Sequence, residues 1–224
     1  MRKLTLSSPS RAPYKILCLG SHCDDIEIGC GGTLLKLIEQ GPPVEVYWAV
    51  FSSDQVRARE ARDSAECFLQ RAQAKTIVIH EFRNSFFPFV GAGIKEAFER
   101  LKEEFAPDVI FTHYRHDLHQ DHQLISQLTW NTFRDHLILE YEVAKYDGDL
   151  GAPNIFTHLD ESLCRRKIDY LMTHFKSQLD KQWFAAETFL ALSRLRGIEA
   201  NAPAKYAEGF YCRKSVLDWG VSRT

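Results

Sequence analysis

Residues 14–38, YKILCLGSHCDDIEIGCGGTLLKLI, determine the fold that the rest of the chain completes. The apolar run at residues 14–20 is typical of a short buried strand, and residues 31–38 are typical of a helix that returns across a sheet. The HCDD sequence at residues 22–25 therefore lies at the carboxyl end of a strand, which is where open α/β sheets bind ligands. Because two carboxylates repel phosphate, this loop is expected to hold a cation rather than a nucleotide.

Strands and helices alternate beyond this unit. The sequence predicts further strands at residues 44–51, 76–79 and 109–112, and helices at residues 54–71, 94–105 and 123–133. Since parallel strands need crossover helices, the pattern indicates a Rossmann-like, doubly wound α/β fold with a mostly parallel sheet flanked by helices. A strand-like segment at residues 140–145 and helical segments at residues 160–179 and 181–196 are expected to form a small C-terminal extension. No domain boundary is evident, so residues 1–224 are predicted to fold as a single domain.

A second group of histidines and aspartates follows the fourth predicted strand, at residues 113–122, HYRHDLHQDH. Right-handed crossovers bring the carboxyl ends of neighbouring strands to one crevice, so this group is expected to face residues 22–25. Zinc in catalytic sites usually takes three nitrogen or oxygen ligands from the protein and keeps one position for water. His22, Asp25 and His122 supply such a set.

The other histidines have a simpler interpretation. His113 and His116, like His136 and His158 further along the chain, are expected to be polar surface residues or residues that cap strand ends. A lone histidine would favour that structural interpretation, whereas the cluster as a whole favours a metal site.

Composition excludes several other classes of function. Of the 224 residues, 45% are hydrophobic and 26% are charged, which fits one α/β domain with a sizeable core. The formal net charge of -2 gives no electrostatic basis for nucleic acid or an anionic membrane as the main partner. The six cysteines form no C-x-x-C pair, so they indicate reduced thiols rather than a zinc ribbon or a disulfide framework. The sequence shows neither a signal peptide nor a run of transmembrane length, and a cytoplasmic protein without a membrane span is expected.

The two His/Asp motifs resemble those of the LmbE-like/PIG-L family of zinc-dependent deacetylases. The resemblance is carried by residues 22–25, by residues 29–34, GCGGTL, and by residues 117–122, DLHQDH. Weaker similarity extends to residues 57–60, 153–156 and 207–210 and to Lys167 with Ser177 and Gln178, so that the resemblance covers most of the chain. It implies an enzyme that removes an N-acyl group, usually acetyl, from a glucosamine unit, here in a small-molecule N-acetylated amino sugar or conjugate.

The resemblance also implies how the metal would be held. It makes His22, Asp25 and His122 ligands of Zn²⁺, although the same ligand set suits Fe²⁺ or another divalent metal. It makes Asp24 the general base that acts on the metal-bound water. The chemistry of these residues supports the assignment, because zinc lowers the pKa of bound water to about 7 and a neighbouring carboxylate can then take the proton.

The same family pattern implies a catalytic role for two further residues. It makes His119 the group that stabilises the tetrahedral oxyanion, and Asp121 the carboxylate that orients the His119 ring. An amide has a poor leaving group and reacts through a tetrahedral intermediate, which calls for a cationic or hydrogen-bonding partner. Asp121 is expected to hold the ring of His119 and to favour its charged form.

Two positions depart from the family pattern, which usually has proline where Cys23 stands and glutamate where Ile26 stands. Cys23 is expected to be a packing substitution rather than an additional ligand, and Glu27 is expected to take over part of the role of the missing glutamate. Neither change removes a ligand or the base.

Arg57 and the aromatic residues 86–89, FFPF, are candidates for contact with substrate. Arg57 lies early in the second helix and either binds a substrate hydroxyl, carboxylate or phosphate, or pairs at the surface with Glu60. The aromatic segment either contacts a sugar and covers the cleft or forms a subunit contact, and a homo-oligomer is expected.

Three functions remain open at the level of sequence. The leading hypothesis is a zinc-dependent hydrolase that removes an N-acetyl group from a GlcNAc-type sugar or conjugate. An amidase of the same family, acting on a thiol-sugar conjugate or an antibiotic intermediate, would use the same metal and water. A non-catalytic sugar-binding module is disfavoured because Asp24, His119 and Asp121 are all present, and a binding module needs neither a base nor an oxyanion partner.

Overall fold

The computed structural model describes residues 2–5 and 13–217, which form a seven-stranded sheet flanked by helices. The strands are β1 (Tyr14–Gly20), β2 (Val44–Val50), β3 (Ala74–Ile79), β4 (Val109–His113), β5 (Leu137–Tyr141), β6 (Ile155–Leu159) and β7 (Tyr206–Tyr211). The helices are α1 (Asp25–Gln40), α2 (Gln55–Phe68), α3 (Gly91–Glu104), α4 (Gln120–Thr132), α5 (Glu161–His174) and α6 (Ala186–Glu199). Within these residues, each helix is too short or too polar to cross a membrane.

Five of the strands are parallel and lie in the order β3-β2-β1-β4-β5. The chain builds the sheet outward from β1 to β3 on one side and from β4 to β5 on the other. The two directions diverge between β1 and β4, and the connections that follow these strands leave a crevice at the carboxyl edge of the sheet. The predicted Rossmann-like, mostly parallel α/β fold is therefore confirmed.

The C-terminal extension adds two antiparallel strands to the edge of this sheet. β7 pairs antiparallel with β5 on one side and with β6 on the other. Neither β6 nor β7 is predicted from the sequence, because each pairs antiparallel with a strand distant in the chain. Of the strand-like segment expected at residues 140–145, only Glu140 and Tyr141 lie in a strand, β5, which begins at Leu137 and ends at Tyr141.

Helix α4 begins at Gln120 rather than at residue 123, because His119 occupies the N-cap position and its side chain accepts a backbone hydrogen bond. Asp121 and His122 therefore lie in the first turn of a helix rather than in the preceding loop. Two other helices also differ from their predicted bounds. The helix expected at residues 160–179 is α5, which ends at His174, and the helix expected at residues 181–196 is α6, at Ala186–Glu199.

Helix α1 packs closely on the sheet and is tied to the C-terminal extension. A Cβ atom at Gly29 would lie 2.1 Å from the Tyr141 ring, so only glycine permits this approach. Glu208 of β7 accepts hydrogen bonds from the backbone N–H of Gly32 at 2.9 Å and from Lys167 Nζ of α5 at 2.6 Å. Helix α1, which begins at the last residue of the HCDD motif, is thus held both by the parallel part of the sheet and by the C-terminal extension.

Candidate metal centre

Both predicted motifs lie at the crevice between β1 and β4. Residues 21–25 connect β1 to α1, and residues 114–119 connect β4 to α4. The structure brings His22 within 3.1 Å of His122, although the two residues are 100 positions apart in the sequence.

Three potential ligand atoms form a compact triangle. His22 Nδ1 lies 3.1 Å from His122 Nε2, and each of these atoms lies 3.5 Å from Asp25 Oδ2. A tetrahedral ion with metal–ligand distances of about 2.0–2.1 Å places its ligand atoms about 3.3–3.4 Å apart. The triangle therefore has the size that a zinc ion requires.

Two carboxylates fix which nitrogen of each histidine faces the triangle. His22 Nε2 lies 3.2 Å from Asp121 Oδ2, and His122 Nδ1 lies 2.9 Å from Asp117 Oδ2. An ionised carboxylate only accepts hydrogen bonds, so each of these ring nitrogens carries a proton in its neutral form. The lone pairs of His22 Nδ1 and His122 Nε2 consequently point toward each other. Carboxylates commonly hold metal-binding histidines in this way.

These facing lone pairs and the Asp25 carboxylate attract a positive charge. Burial opposes the charged form of His22, but Asp25 and Asp121 outweigh it and raise the pKa of His22 to about 10. Burial, together with the neighbouring His113, lowers the pKa of His122 to about 3.

Two other trios of side chains also bring candidate ligand atoms within 4.8 Å of one another: His22 with His119 and His122, and Asp25 with His113 and His122. In each of these trios one histidine already uses a ring nitrogen as an acceptor. His113 Nε2 accepts the backbone N–H of Ser21 at 2.9 Å, and His119 Nδ1 accepts a backbone N–H at 3.2 Å. In the trio of His22, Asp25 and His122, neither ring nitrogen accepts a backbone N–H. Asp25 Oδ2 accepts the backbone N–H of His22 at 2.6 Å and keeps a second lone pair, so this trio fits a metal best.

Asp24 is the N-cap residue of α1 and pairs with Arg57. Arg57 Nη2 lies 2.9 Å from Asp24 Oδ1, and Arg57 Nε lies 3.9 Å from Glu60 Oε2. Asp24 Oδ2 is buried and has no hydrogen-bond partner within the described residues. Burial raises the pKa of Asp24, although Arg57 acts in the opposite direction. Arg57 thus makes the expected approach to Glu60 and adds a closer contact with Asp24 that the sequence does not indicate.

His119 and Asp121 differ from the expected arrangement. The Asp121 carboxylate accepts the N–H of Ser85 at 2.7 Å and the N–H of Phe87 at 3.1 Å, in addition to contacting His22. Asp121 contacts the His119 ring through its backbone N–H, which donates to Nδ1. Burial and then the charge of His22 lower the pKa of His119, so its charged form is not favoured. The carboxylate of Asp121 therefore supports His22 instead of orienting His119.

His113 and Asp117 contribute to the centre in ways that the sequence interpretation missed. His113 is fully buried, and its ring stacks on that of His122 with centroids 3.9 Å apart, whereas a polar surface or capping residue was the expectation. The sequence does contain a signal for the burial of His113. Side chains alternate along β4, so that His113 points to the same face of the sheet as Val109 and Phe111. Asp117 lies within the quoted motif, but its role as the partner of His122 depends on the fold.

Cys23, one of the two departures from the family pattern, and Glu27, which was expected to take over part of the role of the missing glutamate, both lie outside the ligand triangle. Cys23 is buried and its thiol donates to the backbone carbonyl of Ser52 at 3.3 Å. Glu27 is also buried and accepts a hydrogen bond from the Ser64 hydroxyl of α2 at 2.6 Å. Burial raises the pKa of Glu27 well above its ordinary value, and its hydrogen bond with Ser64 links α1 to α2.

Residues 17–133 match the family model of PIG-L, GlcNAc-PI de-N-acetylase, and because this match covers more than half of the chain, the protein belongs to that family. The conserved protein TT1542 from Thermus thermophilus superposes with a TM-score of 0.68 at 19% identity, over 93% of this chain and 99% of that one. N,N'-diacetylchitobiose deacetylase from Pyrococcus horikoshii gives a TM-score of 0.63 at 21% identity, over 88% of this chain and 82% of that one. GalB, the 4-carboxy-2-hydroxymuconate hydratase from Pseudomonas putida, gives a TM-score of 0.65 at 15% identity, over 92% of this chain and 98% of that one. At these identities the likeness shows the fold, and the fold accommodates more than one reaction.

Proposed function

We propose that this protein is a metal-dependent hydrolase that removes the N-acetyl group from a GlcNAc-type sugar or conjugate, with Zn²⁺ as the metal. The observation that carries the proposal is the triangle of His22 Nδ1, Asp25 Oδ2 and His122 Nε2, with sides of 3.1–3.5 Å. Membership of the PIG-L family supports deacetylation as the reaction. The deacetylase from Pyrococcus horikoshii, whose substrate is an N-acetylated sugar, supports the substrate class.

The residues around the triangle supply a base. When bound, a divalent ion such as Zn²⁺ lowers the pKa of water to about 7 and polarises a carbonyl oxygen. Asp24 then takes a proton from the attacking water at Oδ2, since Oδ1 is held by Arg57. Burial of Asp24 strengthens it as a base. Arg57, which lies beside Asp24, is proposed to bind the substrate.

His119 supplies the partner for the developing oxyanion. Its Nδ1 accepts the backbone N–H of Asp121, which leaves Nε2–H to donate. A neutral donor is sufficient for this step, because a preorganised hydrogen bond in a water-poor site stabilises negative charge strongly. Transfer of that proton from the carboxyl group of Asp24 to the departing nitrogen breaks the C–N bond and completes hydrolysis to acetate and the free amine.

Two substitutions separate metal binding from catalysis. We expect Asp24→Asn to retain the metal and to lose about 10²–10⁴-fold in turnover, which is the usual contribution of general-base catalysis. We expect His122→Ala to lose the metal itself, because it removes one corner of the triangle. Metal content and acetate release from N-acetylated sugars would be measured on the same preparations.

His116→Ala serves as the matched control, because His116 is an exposed histidine in the loop that precedes α4. It should retain both metal and activity. A wild-type protein that binds no divalent ion would overturn the proposed function, and an Asp24→Asn variant with wild-type turnover would remove Asp24 as the base.

The proposed setting is the cytoplasm, which is supported by the six cysteines being free. Assembly into a homo-oligomer is also proposed. It is supported by Phe89, which is 77% exposed beside the crevice.

A further inference from the structure

We propose that Lys145 is a positioning residue for the metal centre: it holds Asp117 behind His122 and fastens the loop that carries His119. This inference rests on the proposed function, because it assumes that His122 is a metal ligand. Lys145 lies in the connection between β5 and β6, and its side chain is only 7% exposed.

Lys145 joins two buried carboxylates. Its Nζ lies 3.0 Å from Asp117 Oδ2 and 2.5 Å from Asp149 Oδ2, and the side chains of these aspartates are 3% and 6% exposed. Two carboxylates so close to one cation would repel each other in its absence. The ammonium group between them therefore offsets this repulsion.

The two carboxylates in turn order the loop before α4. Asp117 Oδ2 accepts from His122 Nδ1 at 2.9 Å, and Asp117 Oδ1 accepts the backbone N–H of His119 at 2.8 Å. Asp149 Oδ2 accepts the backbone N–H of Leu118 at 2.7 Å. One lysine thus supports the ring of a candidate ligand and the backbone of the oxyanion partner.

Loss of the cation would act on His122 through its tautomer. If the Asp117 carboxylate turned away, Nδ1 of His122 would lose its acceptor, and the ring proton could move to Nε2. The lone pair at Nε2 would then no longer be available to a metal. An opposing electronic effect exists, because Lys145 also draws electron density from Asp117, but an uncompensated buried carboxylate costs more than this gain.

The test is the affinity for Zn²⁺ of the full chain, measured by competition with a chromophoric chelator. We expect Lys145→Met to weaken binding about 10–100-fold, which is the usual effect of removing an outer partner of a metal ligand. Lys145→Arg, which keeps the charge, should recover most of the affinity. If Lys145→Met does not fold, Lys145→Gln carries the same prediction, since it keeps a hydrogen-bond donor but loses the charge.

Arg196→Met is the matched control for a merely structural role. Arg196 Nη2 forms a buried ion pair with Glu142 Oε1 at 2.7 Å and donates to the Gly151 carbonyl at 3.0 Å. Both of these partners lie in the connection between β5 and β6 that also contains Lys145. This variant should unfold at a lower temperature and bind Zn²⁺ as the wild type does.

The outcomes separate this inference from the proposed function. A wild type that does not bind Zn²⁺ refutes the proposed function and removes the basis of the inference. A wild type that binds, beside a Lys145→Met variant that binds equally well, refutes only the inference. An Arg196→Met variant that loses as much affinity as Lys145→Met also refutes it, because Lys145 would then act only by stabilising the loop.

Discussion

At the scale of single residues, the centre is defined by which ring nitrogen each histidine presents. His22 presents Nδ1 because its Nε2 is held by Asp121, and His122 presents Nε2 because its Nδ1 is held by Asp117. The backbone alone would not make this choice, since a histidine can rotate and change its tautomer. In the proposed function, these carboxylates support metal binding through the two histidines that they hold.

Asp121→Asn tests this assignment directly. Because Asp121 holds His22, we expect the substitution to weaken Zn²⁺ binding about 10–100-fold, as measured by chelator competition. The role implied by family resemblance, in which Asp121 orients His119, predicts an unchanged metal affinity and a reduced turnover. The second result would restore the sequence-based role.

The sequence identified both motifs, but it could not identify the partner of Asp121. Its carboxylate meets the backbone N–H groups of Ser85 and Phe87, in a turn where Ser85 adopts a positive φ of 63°. Such a conformation is uncommon for serine, and no local pattern marks it. A contact between positions so far apart in the chain becomes visible only when the fold is known.

At the scale of elements, the glycines of α1 set the distance between this helix and the sheet. A Cβ atom at Gly29 would lie 2.1 Å from the Tyr141 ring, which is fully buried and whose hydroxyl donates to the Leu19 carbonyl at 2.6 Å. The ring cannot easily move, so added volume forces α1 away from β5. Since α1 begins at Asp25, such a shift also displaces a candidate ligand.

We expect Gly29→Ala to lower the free energy of unfolding by about 1–3 kcal/mol, which is the usual cost of overpacking. Gly91→Ala is the control, since a Cβ there would meet only Leu124, at 3.8 Å. It should leave stability unchanged or raise it by up to about 1 kcal/mol, because alanine favours helix. Urea unfolding of the metal-free proteins would measure both. Equal effects of the two substitutions would contradict the packing argument.

Elements with clear periodicity could be predicted from the sequence, and their ends could not. Helix α2 was expected at residues 54–71 and lies at Gln55–Phe68, where Asp54 caps it. Helix α4 begins earlier than expected because its cap is a histidine, which is not among the usual capping residues. This difference matters, since it places His122 on a rigid helical turn.

At the scale of the whole molecule, the C-terminal extension adds two antiparallel strands to the edge of the parallel sheet. The family model ends at residue 133, yet β7 pairs with β5, and α5 packs on both α1 and α2. Sequence patterns could not place β6 and β7, because antiparallel pairing of short strands depends on partners distant in the chain. The single domain predicted for residues 1–224 remains a prediction that unfolding experiments can test.

Lys167→Met provides that test, because Lys167 Nζ of α5 contacts both Glu208 Oε1 of β7 and the Ile28 carbonyl of α1, each at 2.6 Å. Removing one partner of a buried ion pair typically costs about 3–5 kcal/mol. If the chain is one cooperative unit, hydrogen exchange should show this loss equally in peptides from β1 and from β7. Arg165→Met on the same helix is the control, since the Arg165–Glu161 pair is exposed and its loss should leave stability nearly unchanged. A loss confined to the β7 peptides would instead show that the extension unfolds independently of the parallel sheet.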